Sequence, residues 1–156
     1  MERKTQVTAD DGKQEIFITR EFDLPLDLLF KAYSEPEIIG EWMGTSVLKH
    51  DNKKHGGYRF ETKDKDGNVV FSANGTIHEF IPEQKIIRTF EMENAGVGVQ
   101  IEFLEFKKVN DDVSKLNMHI VYGSVAERDQ FVQFGMTKGV GMAHNNLQRV
   151  VEKRKK

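Results

Sequence analysis

The feature that most constrains this chain is its final stretch, residues 123–156, where no proline interrupts a helical pattern up to Lys153. Gly123-Ser124-Val125-Ala126-Glu127 has the form of a helix start. Ser124 is placed to cap, and Glu127 follows three residues later to close a capping box. Val132, Met136, Val140, Ala143, Leu147 and the Val150–Val151 pair recur at spacings of three and four, so they share one apolar face. A helix of about 28 residues would run roughly 42 Å at 1.5 Å per residue. Almost everything before it reads as strand. The expected arrangement is therefore a curved sheet closing around a long helix, with function in the space between them.

Three glycines interrupt this helix: Gly135, Gly139 and Gly141. Each costs about 1 kcal/mol relative to alanine in a helix interior. Two readings follow: a kink or two helices joined near Gly135, or missing side chains that make room for a ligand or bring the helix close to the sheet. Gly139-Val140-Gly141 is not a phosphate loop, because no strand leads into it and a third glycine is absent.

Upstream, Glu15-Ile16-Phe17-Ile18-Thr19-Arg20-Glu21-Phe22 reads as the first full strand, after a polar start with room for a short edge strand. Pro25 opens a short amphipathic helix carrying Leu26, Leu29, Phe30 and Tyr33. Ser34-Glu35-Pro36-Glu37 predicts a second capping box, for a helix with Ile38, Ile39 and Trp42 that stops near Gly44. The hydrophobic period then falls to two. Strands are expected at Val47-Leu48, Tyr58 to Thr62, Val69 through Phe80, and Ile86 to Met92, with Asp66-Gly67 as a hairpin turn and a bulge at Asn74-Gly75. Val99, Ile101 and Phe103 alternate with Gln100 and Glu102, and Leu116, Met118, Ile120 and Tyr122 alternate with Lys115, Asn117 and His119. The order predicts an α+β fold: an antiparallel sheet of about six to seven strands, two short helices after strand one, and the long C-terminal helix across the sheet.

This order, with its local signatures, resembles the helix-grip superfamily of START lipid-transfer domains, polyketide cyclases and the birch-pollen allergen. Within it the chain resembles the branch named for the activator of the heat-shock chaperone ATPase. The residues that carry the resemblance are Arg20-Glu21-Phe22-Asp23-Leu24-Pro25, Phe30-Lys31-Ala32-Tyr33-Ser34-Glu35-Pro36-Glu37 and Trp42-Met43-Gly44. They continue with Gly56-Gly57-Tyr58-Arg59-Phe60, Asp66-Gly67, Gly75-Thr76-Ile77-His78-Glu79-Phe80-Ile81-Pro82-Glu83 and Ala126-Glu127-Arg128-Asp129. The last is Gly135-Met136-Thr137-Lys138-Gly139-Val140, where the family often has tryptophan in place of Val140. The resemblance spans about residues 16–151 and implies one START-type domain over 1–156, its core at about 15–152. The fold serves carriers, cyclases, sensors and chaperone partners, so function does not follow from it.

Composition narrows the function classes. Lysine plus arginine total 23 against 25 acids, a net charge of −2, which leaves no nucleic-acid footprint. There is no cysteine, which removes thiol catalysis and cysteine-based zinc sites. No apolar run approaches a membrane span and the N-terminus lacks a signal-peptide core, so the cytoplasm is the expected location. Five histidines, His50, His55, His78, His119 and His144, fall in no metal-binding spacing, and no metal or cofactor is expected. No serine sits in a nucleophile elbow and no carboxylate pair is matched for glycoside chemistry, so turnover is not the expected role.

The ligand-binding set is instead Trp42, Phe60, Phe71, Phe90, Phe103, Met118, Met136 and Val140, large or adaptable groups that the fold would turn toward the helix, with His144 on its border. Arg88 shares strand parity with Ile86, Phe90 and Met92; pointing inward, it requires a carboxylate partner or an anionic ligand, whereas a twist or bulge in the strand leaves it solvated. The leading expectation is a monomer or weak dimer that binds a lipid-, polyketide- or flavonoid-like molecule. The resemblance also implies a co-chaperone module, against which stands the short chain, without room for the extra chaperone-binding domain of the activators. A third reading is a cyclase using Arg88, His144 or Tyr58 to polarise a carbonyl.

Overall fold

The computed structural model describes residues 3–155. Its strands are β1 (Gln6–Thr8), β2 (Glu15–Phe22), β3 (Ser46–His50), β4 (Gly57–Lys63), β5 (Val69–Ile81), β6 (Lys85–Met92), β7 (Gln100–Lys108) and β8 (Ser114–Val121). They form one antiparallel sheet in the order β1-β2-β8-β7-β6-β5-β4-β3. The count exceeds the expected six to seven because Gln6–Thr8 pairs along β2 as an edge strand. The helices are α1 (Leu26–Ser34), α2 (Pro36–Met43), α3 (Val125–Gln133) and α4 (Met136–Val151), the last running into a 3₁₀ turn, Glu152–Arg154.

The C-terminal stretch is two helices, not one of 28 residues. Ser124 caps α3 by accepting from the Glu127 amide at 3.1 Å. Gly135, at φ +83°, then takes the left-handed conformation that a β-carbon disfavours, and α4 restarts behind it. Gly139 and Gly141 do not serve close packing: a β-carbon on either would meet nothing within 4 Å. The expected Ser34 capping box does not form either. Glu35 occupies the N-cap position without a side-chain bond, Pro36 starts α2, and the Ser34 hydroxyl donates back to Phe30 O.

β5 runs unbroken through Asn74-Gly75; its register shifts lie between Ile77 and Glu79 against β6 and between Val69 and Phe71 against β4 instead. Gly75 is needed for another reason. A β-carbon there would sit 2.1 Å from the Thr89 carbonyl oxygen and 2.5 Å from the Tyr58 hydroxyl oxygen. Tyr58 lies across that glycine and donates its hydroxyl to the same Thr89 carbonyl.

The helices pack on one face of the sheet over two apolar clusters. The larger joins Phe22, Leu29, Phe30, Trp42, Phe60, Leu104, Leu116 and Leu147; the smaller joins Ile16, Ile18, Ile120 and Tyr122. Met118 touches both clusters. Each such fully buried side chain contributes on the order of 2 kcal/mol by removing apolar area from water. α4 is tied to α2 by the Asn146 side-chain amide donating to Trp42 O and by Arg154 bonding Glu41 at 2.8 Å. The Trp42 indole nitrogen in turn donates to Ala32 O at 2.7 Å, locking α2 onto α1.

Candidate functional site

The space between sheet and α4 is a cavity of about 140 Å³. Its walls come from three directions. α1 and α2 supply Ala32, Tyr33, Ile39, Trp42 and Met43; the strands supply Phe60, Arg88 and Met118; α4 supplies Val140, Ala143 and His144. Spacing explains the last three, since residues three and four apart share a helix face. Strand alternation likewise turns Phe60, Arg88 and Met118 to the helix side.

Of the ten residues expected to bind a ligand, the structure brings six to the cavity wall: Trp42, Phe60, Arg88, Met118, Val140 and His144. Phe71 and Phe90 pack half-buried against the larger cluster without lining the cavity, and Met136 packs against the smaller one. Phe103 is a correction. It points away from the helices, is 37% exposed, and stacks with His119, ring centroids 5.5 Å apart. The inward side chains of β7 are Gln100, Glu102, Leu104 and Phe106. Ile101/Phe103 and Leu104/Phe106 give opposite parities; the second pair is the buried one, and Glu102, on its parity, faces inward opposite Arg88.

Glu102 is 5% exposed and Arg88 8%, on facing positions of neighbouring strands. Arg88 Nε donates to Glu102 Oε1 at 2.8 Å, and Gln100 Nε2 donates to Glu102 Oε2 at the same distance. The guanidinium also lies over the Tyr58 ring, 5.1 Å from its centroid. Nε is the one Arg88 nitrogen with a hydrogen bond to a described residue. The terminal nitrogens therefore belong to a side chain that lines the cavity and have no protein acceptor among the described residues. Alternating with Ile101 and Phe103, Glu102 has the sequence pattern of a wet-face residue, which hides it as the partner. The signal available was the β6–β7 hairpin, whose register sets Glu102 opposite Arg88.

His144 is 3% exposed and holds Thr5 Oγ1 by Nδ1 at 2.8 Å. Burial, with Arg20 adding to it, lowers its pKa to about 4, so the ring is neutral near pH 7. Arg20 itself hydrogen-bonds Asn145 Oδ1 at 2.6 Å and lies over Phe22. Tyr58, a candidate carbonyl polariser in the cyclase reading, has its hydroxyl committed to Thr89 O and does not line the cavity.

A larger groove, about 490 Å³, opens on the helix-free face of the sheet. Phe17, His119 and Phe103 cross it in register, with Phe17 and His119 stacked at 4.4 Å. It is an exposed surface without an enclosing helix, so the smaller cavity is the better candidate for a buried ligand. Among the described residues, no group of three or more His, Asp or Glu side chains could hold a metal ion. No helix among the described residues is long and apolar enough to cross a membrane.

The architecture has many relatives. Ms6760 from Mycobacterium smegmatis is similar with a TM-score of 0.79 at 19% identity, covering 92% of this chain and 94% of that one. A protein from Rhodobacter sphaeroides superposes with a TM-score of 0.83 at 17% identity, over 96% and 99% of the two chains. A solution structure from Arthrobacter aurescens gives 0.84 at 13%, over 95% and 91%. At these identities the likeness establishes the helix-grip fold alone. No curated protein matches the sequence. The family profile described as "Activator of Hsp90 ATPase homolog 1-like protein" matches residues 23–152, from the end of β2 to the end of α4. With most of its length matched, and with the helix-grip order of elements to go with it, the chain belongs to the Activator of Hsp90 ATPase homolog 1-like family.

Proposed function

We propose that this protein binds a small, mostly apolar molecule in the cavity between the sheet and α4, without turning it over. The observation that carries this reading is the wall itself. Trp42, Phe60, Met118 and Val140 make it apolar, and Arg88 and His144 supply polar groups from opposite sides. Ligand sites combine these two kinds of lining. The reading is tested by an amide NMR titration with small aromatic compounds. Resonances of Trp42, Phe60, Met118, Val140 and His144 should shift together and saturate, and Val140→Phe, which fills the space, should abolish the response. A panel that leaves all five unmoved in the wild-type protein would sink the reading.

The family's name supports a second reading, a co-chaperone-like module that stimulates a chaperone ATPase. The exposed Phe17–His119–Phe103 row offers such a module a contact face. An unchanged Hsp90 ATPase rate in the presence of excess protein would remove it.

A further inference from the structure

Resting on the cavity reading above, we propose a ligand class: a neutral, single-ring aromatic compound bearing a carbonyl-type acceptor. Its oxygen would sit on the terminal nitrogens of Arg88, with its ring among Trp42, Phe60, Met118 and Val140.

Size makes the first cut. The cavity measures about 140 Å³. A dry cavity of about 150 Å³ accommodates benzene, whereas pockets for drug-sized ligands begin at roughly 300 Å³. One substituted ring fills the space, whereas a flavonoid, sterol or fatty acid would have to extend out of it.

Polarity makes the second. Arg88 lines this cavity, and its terminal nitrogens lack a hydrogen-bond acceptor among the described residues. A guanidinium has donors only, so a ligand that completes it must bring an acceptor. A purely hydrocarbon ligand would strip water from these donors and give nothing back.

Charge makes the third. Glu102 already neutralises Arg88, and its second oxygen is taken by Gln100. A carboxylate ligand would add a third buried charge beside Glu102 with no cation left to balance it. Arg20 acts on His144 through its charge, but it bonds Asn145 and Thr5 and is not part of the cavity wall, so a ligand carboxylate in the cavity would not pair with it directly. His144, the other polar wall, is neutral near pH 7. The two charges on the wall, Arg88 and Glu102, thus cancel, and the open hydrogen-bonding groups of Arg88 are donors, matched to a ketone, aldehyde, amide or lactone oxygen.

Calorimetric titration with acetophenone, ethylbenzene and benzoate separates the possibilities. Acetophenone should bind about tenfold or more tighter than ethylbenzene, the ratio that one hydrogen bond of about 1.4 kcal/mol gives. Benzoate should bind weaker than acetophenone. In Arg88→Met/Glu102→Leu, which removes both buried charges together, the preference for acetophenone over ethylbenzene should vanish. Equal affinity for ethylbenzene and acetophenone, or tightest binding of benzoate, overturns this inference while leaving the cavity reading intact. Binding of none of the three to the wild-type protein overturns both.

Discussion

Removing one partner of the Arg88–Glu102 pair should be far more damaging than removing both. In Glu102→Leu the Arg88 guanidinium keeps its charge, remains about nine-tenths buried, and loses the carboxylate 2.8 Å from Nε. Breaking a buried pair from one side costs about 3–5 kcal/mol, because the remaining charge is stranded. Arg88→Met strands Glu102 in turn, leaving it the Gln100 amide as its hydrogen-bond donor. The double variant Arg88→Met/Glu102→Leu replaces the pair with apolar groups of similar bulk, an exchange that is often neutral or mildly stabilising. The predicted coupling between the two sites is therefore at least about 5 kcal/mol. Urea unfolding followed by the fluorescence of Trp42, the sole tryptophan, reads it directly. With a slope of about 2 kcal/mol per molar urea, each single variant should lower the midpoint by about 1.5–2.5 M. The double should lie within about 0.5 M of wild type on the same slope. Single variants within about 1 kcal/mol of wild type, or additive losses in the double, would refute the reasoning, since both require a solvated Arg88.

Further outcomes follow from the glycines and the buried histidine. Gly139→Ala and Gly141→Ala, with open space around each new β-carbon, should each stabilise α4 by about 1 kcal/mol and raise the thermal midpoint. Gly135→Ala should destabilise the protein by about 1–2 kcal/mol because of the positive φ; a stabilising Gly135→Ala would contradict the two-helix description. Gly75→Ala puts a methyl group 2.1 Å from a backbone oxygen, so it should cost several kcal/mol, in the upper range for single substitutions. A Gly75→Ala protein melting like wild type would show that Tyr58 does not lie across that strand. His144 titrates near 4 in the folded state against 6.5 as its ordinary value, so the unfolded chain takes up the proton first. The stability conferred by keeping it neutral is complete above about pH 6.5 and is lost as pH falls through about 4. Chemical unfolding from pH 7 to 4 should therefore lose stability faster in wild type than in His144→Phe, and parallel curves would count against a buried neutral ring.

Fold and site differed in how legible they were. The change of hydrophobic period from four to two, the turn residues and the C-terminal stripe together dictate helices on one face of an antiparallel sheet. That stripe also identified Val140, and strand parity identified Phe60 and Met118. Arg88 was legible as a problem: an inward cation demands a partner. Its solution was hidden, because Glu102 reads as solvent-facing when polarity alone assigns faces. Only the register of the β6–β7 hairpin, which sets Glu102 across from Arg88, reverses the parity of β7 and sends Phe103 outside. Tyr33, Ile39 and Met43 escaped for another reason. Their place in the wall depends on how α1 and α2 lie against α4, a tertiary relation that periodicity within one helix does not encode. The break at Gly135 was half legible, since a glycine marks where a helix can turn left-handed but not that it does.

The most direct test of the central claim is a search for nuclear Overhauser contacts between acetophenone ring protons and protein methyl groups in a saturated sample. Contacts are expected to the Met118 methyl and both Val140 methyls, with further contacts to the Trp42 and Phe60 rings. Contacts confined to Phe17 and Phe103 on the helix-free face, or no contacts at saturation, would contradict it.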